Sequence, residues 1–372
     1  MAPRPARLDQ LTSLRFFAAM AVVASHLWPL AEYPNALQGL ARTLFHEGYA
    51  GVSFFFMLSG FILAHTYQAK LVSGAVGWGK YLALRLMRIL PLHWLVSLPL
   101  AVLALWDNGW GELPKVALNL ALLQAWVPNP DWYFTVNEPS WSLADEGFFY
   151  ACFAGLALLP LRRLGWFAAG LLALNLGVVV WRIGSGHGAV IINDHNTLTH
   201  WLTYIDPVAR LLDFVVGMLV YRLPRHGWAG ARASLVEMGA VAVLLAAMVA
   251  YPLLGVADVW RMQLAYLPLM ALVIWAFGQS GGALSGWLAG SKLLILLGDA
   301  SFALYLVHLP IVHGGVLLQN ALGDAAIGWL PWAGAVIVVA VAASIAVFRW
   351  VEMPLMRALR PVVEGWFTRP AP

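Results

Sequence analysis

The apolar stretch Leu11–Leu30, LTSLRFFAAMAVVASHLWPL, decides the class of this protein because it contains two ionisable side chains, Arg15 and His26. The stretch has the length of a membrane-crossing helix, and an ionisable group at membrane depth is costly enough to indicate function. At roughly 100° and 1.5 Å per residue, the two side chains share one helix face and stand about 16 Å apart. We expect one near a membrane surface and the other near mid-depth. An Arg that extends to the surface and a hydrogen-bonded buried His remain the alternative.

The composition of the chain indicates an integral membrane protein. Of 372 residues, 61% are hydrophobic and 11% are charged, whereas soluble domains carry about 25% charged residues. The 19 Trp residues suit interfacial belts. The single cysteine, Cys152, excludes a disulfide framework and a cysteine metal site. The net charge is +4, and the basic residues are distributed as membrane topology requires. We therefore expect membrane lipid, and no nucleic acid, as a partner. The predicted fold is all-α, a polytopic helical membrane bundle.

Hydropathy predicts about ten spans, each near the roughly 20 residues that cross the hydrocarbon core. They cover 12–30, 49–67, 89–106, 141–160, 165–182, 206–221, 234–254, 260–278, 293–318 and 328–348. Basic residues precede the first span, as in a signal peptide, but the segment has no cleavage pattern of small residues. We therefore expect that this span is retained in the mature protein. We expect one membrane domain, 1–372, without an appended soluble domain.

Charge distribution resolves an ambiguous segment, 113–127, which lies between Pro114 and Pro128. Without it as a span, 16 of the 22 Lys and Arg residues are cytoplasmic. Counting it as a span gives 9 inside and 12 outside, against the positive-inside rule. We therefore expect a helix at the outer face or partly inserted, and both termini in the cytoplasm.

Arg85 and Arg88 precede the third span on the predicted cytoplasmic side. At i and i+3 they share one helix face, and paired guanidinium groups suit phosphates. Ordinary positive-inside anchoring is the favoured interpretation of this pair taken alone, unless Arg15 reaches the same surface. Three converging Arg side chains exceed what topology requires.

Trp141, Ser142, Asp145 and Glu146 open the fourth span from the outside. Glu146 and Tyr150 are four residues apart and share a face that can point into the bundle. Capping of the helix N-terminus is the alternative for the acidic pair, and an interfacial position is the alternative for Trp141.

Ser301, Tyr305 and His308 form a polar stripe in the ninth span, at i, i+4 and i+7. Such stripes face the bundle interior, where hydrogen bonds between helices are a sufficient role. In the sixth span, Arg210 and Asp213 are spaced for an ion pair, and a structural pair is the favoured interpretation. No histidine or carboxylate group has metal-ligand spacing, including His187, Asp194, His195 and His200 of the outer loop, so we expect no metal.

The order of these motifs resembles the membrane acyltransferase-3 family of bacterial integral membrane O-acyltransferases, over about Leu8 to Leu359. Ser53 and Gly147 depart from the family pattern, because acidic residues are common at both positions. The matching elements are Arg15 with His26, Gly51 to Phe61, Arg85 with Arg88, Trp141 to Leu143 with Glu146, Asp213-Phe214 with Gly217, Ser301 with Leu304, Tyr305 and His308, and Glu352-Met353-Pro354.

The resemblance implies transfer of an acyl group, commonly acetyl, from cytoplasmic acyl-coenzyme A to a sugar hydroxyl in a cell-envelope or exported glycan. It implies an inner-membrane location and no permanently bound cofactor. Arg15, Arg85 and Arg88 would bind the donor phosphates. His26 would be the general base, with a covalent acyl-imidazole as the competing possibility. Glu146 would orient the imidazole or the sugar. Supporting or acceptor-binding positions would be Trp141, Ser142, Tyr150, Asp213, Ser301, Tyr305 and His308.

Two other functions remain open. A secondary transporter or flippase of lipid-linked sugars would have ionisable groups within the membrane, although the chain lacks visible repeat symmetry. The second alternative function is that of a non-catalytic partner of a polysaccharide export system. The acceptor, the acyl chain length and the oligomeric state are left undetermined by the sequence.

Overall fold

The structure is a computed structural model that describes residues 7–27, 45–188, 197–323 and 329–367. All regular secondary structure within these residues is helical. The helices of eight or more residues are α1 Asp9–Ser25, α2 Glu47–Val72, α3 Trp78–Asn108, α4 Leu113–Leu120, α5 Trp141–Leu158, α6 Leu161–Gly184, α7 Pro207–Arg222, α8 Gly230–Leu253, α9 Asp258–Gln279, α10 Ala283–Gly290, α11 Lys292–Asp299, α12 Ser301–Leu322, α13 Trp329–Val347 and α14 Met353–Trp366. Shorter turns join them, among them Glu138–Ser140 before α5 and the π-helical turn Phe348–Glu352 between α13 and α14.

Seven helical runs in the described residues are long and apolar enough to cross a membrane: α2, α3, α6, α8, α9, α12 and the run Pro331–Trp366. Three further predicted spans coincide with α1, α5 and α7, which are 17, 18 and 16 residues long. These three helices carry Arg15, Glu146 and Asp213, and such side chains make them less apolar. The helical bundle is confirmed, whereas the count of ten spans and the position of the termini stay predictions.

The predicted span 293–318 is in fact two helices, α11 and α12, which meet at Ala300. Gly298 packs directly on α1, since a Cβ there would lie 2.0 Å from the carbonyl oxygen of Thr12. Asp299 ends α11 and pairs with Arg7 at 2.8 Å. The apolar pattern continues through the break, so hydropathy alone could not locate it.

The segment 113–127 contains only the eight-residue helix α4 and a short turn, too little to cross the hydrocarbon core. Buried polar contacts hold it against neighbouring helices. The Asn119 carbonyl oxygen lies 3.0 Å from Nε2 of His93, and the Asn119 amide donates to Oγ of Ser140 at 2.8 Å. These contacts agree with the prediction that the segment does not form a span.

Glycines allow α2 and α7 to cross at backbone contact. A Cβ at Gly217 would lie 1.8 Å from the Met57 carbonyl oxygen, and one at Gly60 would lie 2.0 Å from that of Phe214. Small residues at helix crossings are the usual means of close approach in membrane proteins. This crossing fixes α2, the helix that contributes more residues to the wall of the site than any other helix.

Replacing Gly217 with alanine is therefore expected to destabilise the protein. The added Cβ must push α2 and α7 apart, and overpacking of this kind costs about 1–3 kcal/mol. The measurement is thermal unfolding of the detergent-purified protein. Gly155→Ala is the matched control, because Gly155 lies on the exposed face of α5 and no atom lies within 4 Å of the position that its added Cβ would take. Equal stability of the two variants would contradict the close crossing.

Candidate active site

A cavity of about 900 Å³ of atom-free space, its mouth included, lies between α1, α2, α3, α5 and α12. Apolar side chains of α2 form much of its wall. The polar side chains converge there from segments far apart in sequence. They are Arg15, Ser59, Arg85, Arg88, Ser142, Glu146, Tyr150, Ser301 and Tyr305. The cavity thus brings together eight of the twelve residues that the sequence singled out.

The three guanidinium groups of the cavity differ in whether they have a partner within the protein. Arg88 pairs with Glu352, and its guanidinium lies 5.7 Å from the centre of the Phe302 ring. Arg85 donates to the Tyr67 hydroxyl at 2.9 Å and stacks over that ring. Arg15 makes no hydrogen bond or ion pair with any part of the chain that the structure describes. Arg15 thus reaches the same cavity as Arg85 and Arg88, which is the condition under which the three side chains exceed what topology requires.

Glu146 faces the cavity but does not contact His26. The Tyr150 hydroxyl donates to its Oε1 at 2.5 Å, and the Ser59 hydroxyl donates to the same atom at 3.1 Å. Glu146 therefore has no contact through which it holds the imidazole in this geometry, and its role in orienting the imidazole or the sugar stays a prediction. The physical reason is local: Tyr150 lies one turn along α5 and Ser59 lies opposite on α2, so both reach the carboxylate before any histidine.

Ser142 and Tyr305 meet at the end of the cavity nearest the start of α5. Their hydroxyl oxygens are 2.7 Å apart, and each lies within hydrogen-bond distance of the Pro139 carbonyl oxygen. At the start of α12, the Oγ atom of Ser301 is buried and has no partner in the described residues. Ser301 and Tyr305 therefore mark two successive levels of the cavity along α12.

His26 and His308 form a contacting pair beyond Tyr305. Nδ1 of His26 lies 3.4 Å from Nε2 of His308, and the ring centres are 5.0 Å apart. His308 is fully buried. The sequence placed both residues on inward-facing positions but gave no indication that they touch, because the contact joins the two ends of the chain.

Carbonyl contacts define which ring nitrogens carry hydrogen in the neutral pair. Nδ1 of His308 lies 2.8 Å from the Tyr305 carbonyl oxygen, so it donates and leaves Nε2 as an acceptor. Nδ1 of His26 lies 2.8 Å from the Val22 carbonyl oxygen and faces that Nε2, so it is also a donor. The unprotonated nitrogen of His26 is consequently Nε2. A ring held in one tautomer has a defined proton-accepting atom.

The histidine pair adjoins the cavity without lining it. Tyr305 connects the two parts, since it lines the cavity and its ring centre is 6.0 Å from that of His308. Helix α1 ends at Ser25, so His26 caps the helix and does not occupy its interior. The helix ends before the predicted span 12–30 does, and residues 28–30 lie outside the described residues. Arg15, in contrast, lies in the interior of α1.

Trp141 and Asp213 lie away from the cavity wall. Trp141 is buried within the protein, with its ring 5.0 Å from that of Tyr204. Asp213 pairs with Arg210 at 2.9 Å, and both are almost completely buried. Arg210 also donates to Ser53 at 2.6 Å, where the family commonly has an acidic residue. A structural ion pair, the favoured interpretation from the sequence, describes Asp213 better than an acceptor-binding role.

Sequence reasoning gave no role to Ser59, Tyr67 or Glu352, although each contacts a predicted site residue. Glu352 had the clearest signal, because it is an acidic residue within a basic segment that contains Arg349, Arg357 and Arg360. The described residues contain no group of three His, Cys, Asp or Glu side chains arranged for a metal ion. Asp194 and His195 of the outer loop lie outside the described residues.

Comparison with known proteins finds relatives that align with most of this chain. It is 32% identical over 390 aligned positions to "Acyltransferase MdmB" of Streptomyces mycarofaciens, covering 98% of this chain and 96% of that protein. It is 28% identical to "Exopolysaccharide production protein ExoZ" of Rhizobium meliloti (strain 1021), covering 84% of this chain and 91% of the relative. It is also 28% identical to "Putative membrane-bound transacylase BcsY" of Komagataeibacter xylinus, covering 77% of this chain and 73% of the relative.

No solved structure matches the chain. The family model described as "Acyltransferase domain" matches residues 8–349, which include every predicted site residue. The arrangement of apolar helices around a polar cavity is consistent with that match. The chain therefore belongs to the acyltransferase-3 family and is a multi-pass membrane O-acyltransferase.

Proposed function

We propose that this protein transfers an acyl group, acetyl in the simplest case, from cytoplasmic acyl-coenzyme A to a sugar hydroxyl of a cell-envelope or exported glycan. The location is the inner membrane, where the donor is available from the cytoplasm. The observation that carries the proposal is the unpartnered guanidinium of Arg15 beside Arg85 and Arg88 in one cavity. The name of one relative, an exopolysaccharide production protein, supports a glycan acceptor.

The donor phosphates would bind at the guanidinium end of the cavity. Three Arg side chains line it against one carboxylate, Glu146. A charge without a partner in an apolar bundle is unfavourable, so Arg15 is suited to an anionic ligand. Guanidinium groups bind phosphate oxygens through paired hydrogen bonds, which favours the phosphates of coenzyme A.

The thioester would then lie toward Tyr305 and the histidine pair. Arg15 and His26 are separated by about 16 Å along α1, a span comparable to the pantetheine arm. That arm is uncharged and fits the apolar wall that α2 provides. The reacting carbonyl would thereby approach the region where Ser142 and Tyr305 present hydroxyl groups.

His26 would act as general base through Nε2. In this step the acceptor hydroxyl gives its proton to Nε2, its oxygen forms the new ester bond to the acyl carbon, and the carbon–sulfur bond breaks. The proton then passes to the departing thiolate to give free coenzyme A. His308 would hold the required tautomer by facing Nδ1 of His26. The hydroxyls of Ser142 and Tyr305 are candidates to stabilise the developing oxyanion.

Replacement of His26 by alanine is expected to lower glycan acetylation by about 10²- to 10⁴-fold, the usual contribution of a general base. The measurement is mass spectrometry of the envelope glycans of a deletion strain that expresses each variant at matched membrane abundance. The matched control is His187→Ala, because His187 is an exposed histidine that follows α6 and does not line the cavity. Acetylation at the wild-type level with His26→Ala would contradict the mechanism.

Replacement of Arg15 by glutamine is expected to weaken donor binding. Loss of a charged hydrogen bond costs about 1.5–3 kcal/mol, which corresponds to roughly a 10- to 100-fold higher dissociation constant. Calorimetric titration of the purified protein with acetyl-coenzyme A measures this change. Arg162→Gln provides the comparison, since Arg162 is exposed on α6 and does not line the cavity. An unchanged dissociation constant in folded Arg15→Gln protein would refute the assignment of the donor site.

A further inference from the structure

One face of α2 lines the cavity from Val52 to Leu63, a rise of about 16 Å along the helix axis. Phe55, Phe56 and Ile62 lie between these two residues, at the spacing that places side chains on one face of a helix. The charged residues of the cavity belong to other helices. The wall that α2 contributes is therefore uncharged along this whole length.

The two ends of this α2 face lie beside different groups. One turn beyond its last residue, Tyr67 accepts the hydrogen bond from Arg85. At its first turn, the Phe55 ring packs edge-on against the Tyr305 ring, with the ring centres 6.1 Å apart. The Tyr305 hydroxyl in turn contacts that of Ser142. The face therefore leads from the guanidinium groups to the pair of hydroxyl groups.

The cavity ends beside Tyr305. Along α12 it is lined from Ser301 to Tyr305, and the histidine pair adjoins it without lining it. Phe55 helps to close this end, because its ring contacts Tyr305 and its side chain also packs against an apolar cluster from α1, α12 and α13. That cluster consists of Ala19, Val23, Leu304 and Ala340.

Phe56 closes the same end of the cavity on the side of α5. Its ring centre lies 5.0 Å from that of Phe149 and 6.2 Å from that of Trp141, both edge-on. Val52, one turn earlier on α2, is almost completely buried. Arg88, at the opposite end, keeps 26% of its side chain exposed. The end beside Tyr305 is thus enclosed and apolar, and aromatic rings support it from behind.

We propose that Val52, Phe55 and Phe56 form an acyl pocket that restricts the donor to a short acyl group, acetyl or propionyl. The inference rests on the proposed function, because it names the class of acyl group that the same site accepts. With the thioester carbonyl beside the hydroxyl groups of Ser142 and Tyr305, the acyl chain extends toward the closed end. A longer chain meets the aromatic wall there, and a single methylene in an apolar pocket changes selectivity by about 10- to 200-fold.

The chemistry of this wall favours a hydrocarbon chain over the sugar. Val52, Phe55 and Phe56 have no side-chain atom that can form a conventional hydrogen bond. A sugar hydroxyl buried against them would lose its hydrogen bonds to water without replacement, which is costly. An acyl chain has no such requirement, and its burial is favourable.

The test is a competition between two donors for the purified protein. Equal concentrations of acetyl-coenzyme A and hexanoyl-coenzyme A are supplied with the host's envelope glycan, stripped of acyl groups with mild base. Mass spectrometry then gives the ratio of acetyl to hexanoyl esters, which does not depend on the fraction of protein that is folded. The wild-type protein is expected to favour acetyl by about 100-fold or more, and Phe55→Ala to lower this ratio by about tenfold or more.

Ile62→Ala is the matched control. Ile62 lines the cavity on the same face of α2, but it lies about 10 Å from Phe55 along the helix, toward the guanidinium end. Its replacement also enlarges the cavity, yet the ratio of the two esters is expected to stay at the wild-type value. Phe55→Trp, which narrows the pocket, is expected to raise the preference for acetyl over propionyl in the corresponding competition.

A wild-type protein that uses hexanoyl-coenzyme A as well as acetyl-coenzyme A would overturn the acyl pocket. So would an unchanged ratio with Phe55→Ala, or an equal change with Ile62→Ala, which indicates general loosening of the cavity. If Phe55→Ala forms no ester, Phe55→Leu replaces it under the same criterion. Failure of the proposed function has a different signature, because the wild-type protein would then transfer no acyl group from coenzyme A to the glycan.

Discussion

A charged side chain inside an apolar helical bundle must meet an opposite charge, a hydrogen-bond partner or a cavity that admits water or ligand. The helices of this protein satisfy that constraint in two different ways. Arg210 is closed off by Asp213 and Ser53, so its charge is satisfied within the fold. Arg15 faces a cavity and lacks such a partner in the described chain. The first arrangement stabilises the crossing of α2 and α7, and the second leaves a cation available for a ligand.

Helix α12 orders the parts of the site. Ser301 lies at the guanidinium end, Tyr305 contacts Ser142 at the next level, and His308 contacts His26 one turn further along. The break at Ala300 allows α12 to begin at this level, because α11 packs separately against α1. Interhelical hydrogen bonds alone would be a sufficient role for the polar stripe of Ser301, Tyr305 and His308. In this structure the stripe also connects the charged end of the cavity to the histidine pair.

Helical periodicity was sufficient to predict that Arg85 and Arg88 share one face and that Glu146 and Tyr150 share another, which can point into the bundle. Whether Arg15 reaches the same surface was the condition that separated phosphate binding from ordinary anchoring, and the structure places Arg15 in the cavity with Arg85 and Arg88. Periodicity assigns a face to each residue but does not identify the neighbouring helix. The partners of Glu146 and the contact between His26 and His308 therefore became apparent only from the packing.

The helix ends were harder to predict for a related reason. Residues Leu11–Leu30 are apolar beyond Ser25, so hydropathy extends α1 past its true end and shifts the expected depth of His26. An interfacial position was the alternative for Trp141 because Trp favours that location, yet the aromatic side chains around it provide a buried site. In both cases tertiary packing outweighs the preference of the local sequence.

The most direct test of this account is an electron cryo-microscopy structure of the protein with bound acetyl-coenzyme A. We predict density for the phosphates in contact with Arg15, Arg85 and Arg88, and for the thioester beside Tyr305 and the histidine pair. Phosphate density elsewhere on the protein, with the cavity between α1, α3 and α12 empty, would contradict the central claim.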